Sequence, residues 1–167
     1  MEQQTGNQKL RDCIQQRDRL LQKNEFLEAA VSCNKIGNLF SEQGQFDQAL
    51  QAHEQELKLS VRTKDKLSQA IAHRRIADCL KLLGQFEDAV EHCVKFKSLA
   101  EQTGDLKEVQ RSEATMGSIL IDKLTVKRDQ LSEQDRHETI HRAENALALS
   151  LQAIDRLKSR KGLDQMA

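Results

Sequence analysis

Proline, tryptophan and tyrosine are absent from this 167-residue chain, and phenylalanine occurs five times. A soluble chain of this length ordinarily holds roughly eight prolines, so their absence points to helix with few interruptions. The scarcity of aromatics, with long stretches free of β-branched runs, excludes a β-sandwich. No apolar run approaches the roughly 20 residues that a bilayer span requires, and the start, MEQQTGNQKL, has no basic segment leading into an apolar core. The expectation is a soluble, non-exported protein without membrane contact. An excess of charge is missing as well: 26 Lys and Arg balance 26 Asp and Glu. A balanced chain offers no basic surplus for direct nucleic-acid binding. The four cysteines lack CxxC spacing and are expected to be reduced, mostly buried thiols.

What the chain does have is a repeat with an offset of forty residues. Gly44-Gln45-Phe46 returns as Gly84-Gln85-Phe86, and Ala30, Ile36, Ala49, Leu59, Thr63 and Asp65 return as Ala70, Ile76, Ala89, Leu99, Thr103 and Asp105. A weaker third copy aligns Met116, Gly117 and Leu120 with Ile76, Ala77 and Leu80, and the spacing fails after Leu124. Within each unit, apolar residues recur at three and four positions, the signature of two amphipathic helices, and Gly44 or Gly84 marks the turn between them. In the first unit the helices are expected over about 25–43 and 46–62. Gly37, Ala77 and Gly117, with Ala49, Ala89 and Ala146, provide small residues where paired helices cross. Asp65 and Asp105 are placed to cap the helix that follows each unit.

The expected fold is all-α, a right-handed superhelical solenoid of helix pairs with repeats of about 40 residues. The predicted layout is a capping helix over 1–24, repeats over 25–64, 65–104 and 105–160, and a tail over 161–167. The third repeat is expected to contain an enlarged loop at about 125–138, ahead of a final helix from about 137 to 158. The apolar residues of that helix spread wider than one stripe, suggesting a further neighbour and a longer parent solenoid.

The unit resembles the tetratricopeptide repeat at Ile36, Gly37 and Phe40 in its first helix and at Phe46 and Ala49 in its second. It departs from that family in its length, in lacking the closing proline, and in carrying Glu56 and Phe96 where a small residue is usual. Three segments are more specific: His53-Glu54-Gln55-Glu56-Leu57-Lys58-Leu59, Ala72-His73-Arg74-Arg75-Ile76, and Val109 through Gly117. Together they resemble the N-terminal repeats of the Tonsoku and Tonsoku-like proteins across residues 25–124, whereas the segment after Leu124 departs from that family. The resemblance implies a nuclear scaffold of replication-coupled DNA repair, whose repeats recognise histone H3 and whose other regions bind further replication and repair proteins.

Stacked helix pairs leave their first helices lining a concave face. The inward positions in the three units yield the candidate peptide-binding residues Asn34, Asn38 and Glu42; Arg74, Asp78 and Lys81; Arg111, Ser118 and Asp122. Asn34 and Asn38, one turn apart, carry amides suited to a peptide backbone, or stand simply solvated. Glu42, Asp78 and Asp122 suit a basic tail, while Arg74 is also placed to pair with Asp78 at i,i+4. Nothing in the sequence marks a catalytic site: glycine-rich phosphate loops and a nucleophile elbow are absent. No cofactor or metal is expected, and His137 and His141, at i,i+4, read as surface imidazoles. A basic tract at 156–161 suits nuclear import or a helix end. The competing function is a peptide-binding adaptor for cell polarity, spindle orientation or motor cargo.

Overall fold

The computed structural model describes residues 2–164, with side chains from 6 to 159. Among the described residues the chain forms seven helices and no strand: α1 (Glu2–Gln22), α2 (Phe26–Glu42), α3 (Phe46–Arg62), α4 (Lys66–Leu82), α5 (Phe86–Thr103), α6 (Leu106–Val126) and α7 (Glu133–Asp164). Each helix packs chiefly on the next along the chain, and the principal contact that skips an element joins α4 to α6. This is the one-dimensional stacking of a repeat solenoid, in which each hairpin buries the face its neighbour leaves open. Among the described residues no helix is long and apolar enough to cross a membrane.

A backbone device of half the sequence period sets the helix lengths. Left-handed residues occur at Asn24, Gly44, Lys64, Gly84 and Gly104, with φ of 60°, 71°, 58°, 75° and 69°. One such residue every twenty positions ends each helix after about five turns and reverses the chain. Glycine adopts this conformation freely, whereas a side chain at Lys64 is strained by contact with the neighbouring carbonyl. Lys64→Gly is therefore expected to stabilise the protein by about 0.5–1 kcal/mol, read as a raised urea midpoint with an unchanged slope.

Asp65 accepts from the Ser68 amide at 3.1 Å to cap α4, and Asp105 accepts from the Lys107 and Glu108 amides at 2.9 and 3.2 Å to cap α6. The Ser68 hydroxyl also donates to Asp65, and this bond is the main reason its carboxyl lies below the usual range.

At position 124 the twenty-residue rhythm meets Leu, with no turn-forming residue, and α6 runs on to Val126. The predicted loop over about 125–138 is corrected here to a connection over 127–132. The Asp135 amide donates to Ser132 Oγ at 3.1 Å, and the Ser132 hydroxyl donates to the Asp135 carboxylate at 2.6 Å. This cap starts α7 four residues ahead of the expected His137. The polar run from Glu133 to Glu138 is solvated helix, so its polarity reflects exposure and not loop structure. At its other end α7 continues to Asp164, past the expected Lys158 and into the segment read as a tail; residues 165–167 lie outside the described range.

The core is built from small residues and a few large ones. Ile76, Ala77, Leu80, Phe86, Ala89, Cys93 and Ile119 form its centre, joining α4, α5 and α6. Leu20 and Leu21 of α1 pack against Ala29, Ala30, Cys33 and Leu59, so α1 covers the first hairpin. Burial pushes the Cys33 thiol up to about 11 and the Cys93 thiol up to about 12. Such thiols stay protonated and behave as small apolar groups. Leu147 packs against Gly117, and an added Cβ there would lie 2.8 Å from its Cδ2, so a side chain at this position requires Leu147 to shift.

Candidate functional site

All nine candidate residues lie on α2, α4 and α6, the first helices of the three hairpins. Lys81 on α4 ties two of these helices together: its ammonium donates to Ser118 Oγ at 3.0 Å and pairs with Asp122 at 3.2 Å, both on α6. Lys81, Ser118 and Asp122 thus form one cluster across the seam between the second and third units. Two of these groups are spent on holding neighbouring helices in register, leaving Asp122, whose side chain is 45% exposed, partly open to solvent.

In the first unit Asn34 and Asn38 are linked to the protein interior. Asn38 Nδ2 donates to Asn34 Oδ1 at 3.1 Å, and Asn34 Nδ2 donates to both Glu56 carboxylate oxygens at 2.9 and 3.1 Å. Glu56 also meets His53 Nδ1 at 3.0 Å. Both His53 and Glu56 are buried on α3. The four side chains form a polar chain from the hairpin interior to the wall. Asn34 is held inside this chain, whereas the carbonyl oxygen of Asn38 faces no partner within it. Of the open-wall amides read from the sequence, Asn38 alone keeps that character.

His53 depends on Gly37. An added Cβ at Gly37 would fall inside van der Waals contact of the imidazole ring. In an open helix, Gly→Ala stabilises by up to about 1 kcal/mol. Here Gly37→Ala is expected to destabilise by about 1–3 kcal/mol, because the ring must leave its packed position. Urea denaturation reads the sign directly, and a stabilised variant would show that the ring has space to move. Glu42 is exposed and, with Asn38, Lys9, Cys13 and Lys35, lines a cleft between α1 and α2.

In the second unit the Arg74 guanidinium stands 3.7 Å from Asp78. That is a loose pair, longer than a charge-assisted hydrogen bond. Burial is the main cause that raises the Asp78 carboxyl above its usual range, opposed by Arg74, Arg75 and Lys81. Burial likewise lowers Arg74, with Arg75 adding to the effect. Among the described residues, Arg74 Nε and Arg75 Nε have no hydrogen-bond partner, and neither has Glu108 Oε2. Arg111 pairs with Glu108 on its own helix, so its charge is already countered.

The partners His53, Glu56 and Glu108 did not figure among the wall candidates. For Glu56 the signal was present, a carboxylate where the repeat usually has a small residue; His53 and Glu108 carried no comparable mark. In the third unit a groove between the end of α6 and the start of α7 is lined by Ile121, Leu124, Ile140, His137 and His141. Both histidines are exposed. Among the described residues no group of three or more His, Cys, Asp or Glu is arranged to hold a metal ion.

Comparison with known proteins agrees with the helix pairs. The tetratricopeptide-repeat family profile matches residues 27–93. The chain is 32% identical to the Tonsoku-like protein of Mus musculus over 118 residues, 71% of this chain and 9% of the relative. It is 29% identical to the Tonsoku-like protein of Bos taurus over 149 residues, 87% of this chain and 10% of the relative. A third match is to the Tonsoku-like protein of Drosophila melanogaster, 28% identical over 92 residues, 55% of this chain and 6% of the relative. The chain therefore spans about a tenth of the length of the mouse and bovine relatives it matches. Among solved structures, a crystal structure of kinesin-light-chain TPR-like repeats from Podosopora anserina is 14% identical, with a TM-score of 0.45, covering 95% of this chain and 97% of that one.

Proposed function

The chain is a tetratricopeptide-repeat region of Tonsoku-like type, and from that premise we propose that its concave wall binds an extended, basic segment of histone H3. The coarser statement, a protein-binding scaffold module, follows from the repeat and the relatives. The finer reading places the module in a non-catalytic nuclear scaffold of replication-coupled DNA repair, with other replication and repair proteins as further partners. On this reading Asn34, Asn38, Glu42, Arg74, Asp78, Lys81, Arg111, Ser118 and Asp122 are the peptide-facing set, divided by role. Asn38, Glu42, Asp78 and Asp122 touch ligand; Asn34, Arg74, Lys81, Arg111 and Ser118 are engaged by neighbouring side chains.

The observation that carries the basic-ligand reading is Asp78. Its carboxylate is half-buried, with 39% of the side chain exposed, and its ion pair with Arg74 is long. A lysine or arginine from a bound peptide would compensate that charge at closer range and recover part of its desolvation cost. Asp122 adds a second carboxylate along the same wall, and its loss would leave Lys81 facing the groove with its charge uncompensated.

The test is a titration of an unmodified H3 tail peptide, beside an acidic control peptide, at low and at high salt. Asp78→Ala combined with Asp122→Ala is expected to weaken the H3 peptide about tenfold at low salt and about twofold or less at high salt, since screening removes most of an exposed charge pair. Unchanged affinity at both salts would reject the role of the two carboxylates. Preference of the unaltered chain for the acidic peptide would favour the adaptor reading, in which the Arg74 guanidinium, held only loosely by Asp78, receives a carboxylate.

A further inference from the structure

The second hairpin contains an imidazole pair that peptide binding does not use. His73 on α4 and His92 on α5 face each other with their Nδ1 atoms 3.1 Å apart, their ring centroids 5.0 Å apart and their planes inclined at 55°. Both rings are half-buried. The equivalent positions forty residues earlier are Cys33 and Ala52, so this pairing is particular to the second unit. Two nitrogens that approach this closely share a single proton, one ring donating and the other accepting.

We propose that His73 and His92 together bind one divalent transition-metal ion of the zinc, nickel or copper type through their Nδ1 atoms, the shared proton passing through solvent to Nε2 of the ring that carried it, and that the ion ties α4 to α5. The first support is distance. A nitrogen ligand sits at about 2.0–2.1 Å from such an ion, which places two ligands of one ion roughly 2.9–3.4 Å apart between right-angled and tetrahedral geometry. The observed 3.1 Å lies within that interval, so metal entry calls for ring rotation and little movement of the helices. The second support is the state of the rings. Burial is the main cause that lowers both imidazoles, His73 to about 4, and Lys95 acts on both in the same direction. Glu54 on α3 and Glu91 and Asp88 on α5 oppose it at His92. Each ring is therefore neutral and competent as a ligand near pH 7. Imidazole ligands suit zinc, copper and nickel, and with two protein ligands the remaining positions fall to water.

Nickel or zinc titrated into the full chain near pH 7.5 is expected to bind at one site through this pair and to raise the melting temperature by about 5–10 °C at a hundredfold excess over the dissociation constant. His73→Gln and His92→Gln should each abolish the shift. The double change His137→Gln with His141→Gln should preserve it, which separates the buried pair from the exposed one. Zinc added to the 15N-labelled, unaltered chain should displace the Nδ1 resonances of His73 and His92, a readout that does not depend on any variant folding. Absence of a thermal shift in the unaltered chain, a shift that survives both single changes, or zinc-induced displacement confined to His137 and His141 would overturn the assignment.

Discussion

Phe96→Ala is expected to destabilise the protein by about 3–5 kcal/mol, the usual cost of emptying a buried aromatic site. Phe96 is fully buried among Ala70 of α4, Ala100 and Leu99 of α5 and Val109 of α6. Its neighbours include two alanines that cannot extend into the vacated space, so the cavity term should be large. The cluster joins the second hairpin to the third, with the Lys97–Glu113 ion pair at 2.6 Å beside it on the same α5–α6 contact. A domain of ordinary stability has about 5–15 kcal/mol in total. At this chain length each kcal/mol moves the melting temperature by about 2–4 °C, giving an expected fall of roughly 6–20 °C. Because stacked hairpins interact mainly with their neighbours, amide exchange should accelerate most in α4 to α6 and least in α1 and α2. Phe96→Leu should cost less, since more of the volume is retained. A loss below about 1 kcal/mol for the alanine variant would mean that the α4–α5–α6 junction closes over the gap.

The period of the array was legible because each unit solves the same packing problem with residues of the same type. Small residues at the crossings, aspartates at the caps and glycines in the turns can be recognised from local spacing alone. Lys64 and Asn24 were harder to see: they adopt the left-handed conformation without being glycine, and only their place in the twenty-residue rhythm identifies them. The start of α7 is masked in the sequence by its polarity, which a solvated helix end shares with a loop, although Ser132 and Asp135 have the spacing of a cap. On the wall, helical periodicity marked the candidate positions, but it could not tell an available side chain from an occupied one. Asn34 finds Glu56 twenty-two residues away, and Lys81 finds Ser118 thirty-seven residues away. Those pairings depend on where the next helix lies. The His73–His92 approach belongs to the same class, since neither residue bears a local mark of the other.

Glu56→Ala is the second large effect, expected at about 3–5 kcal/mol, because it strips a buried polar cluster of its only carboxylate. Glu56 and Phe96 occupy equivalent positions forty residues apart, and so do His53 and Cys93. The first hairpin fills the site with a hydrogen-bonded imidazole and carboxylate, and the second fills it with a phenyl ring and a thiol. Removing Glu56 alone leaves Asn34 Nδ2 without its acceptor and His53 Nδ1 unpaired in a buried setting, and the cost of stranded polar atoms exceeds the net worth of the bonds lost. Glu56→Gln should cost less, since the amide oxygen still accepts from Asn34. The decisive comparison is the double change His53→Cys with Glu56→Phe, which imports the solution used by the second hairpin. If polar stranding drives the effect, this double variant should be more stable than Glu56→Ala, because it removes the imidazole together with its carboxylate partner and refills the volume, leaving Asn34 Nδ2 as the one group still without its acceptor. Denaturant titration of the three variants ranks them. A double variant no more stable than the alanine change would show instead that the polar chain from His53 to Asn38 is itself required to hold α2 against α3.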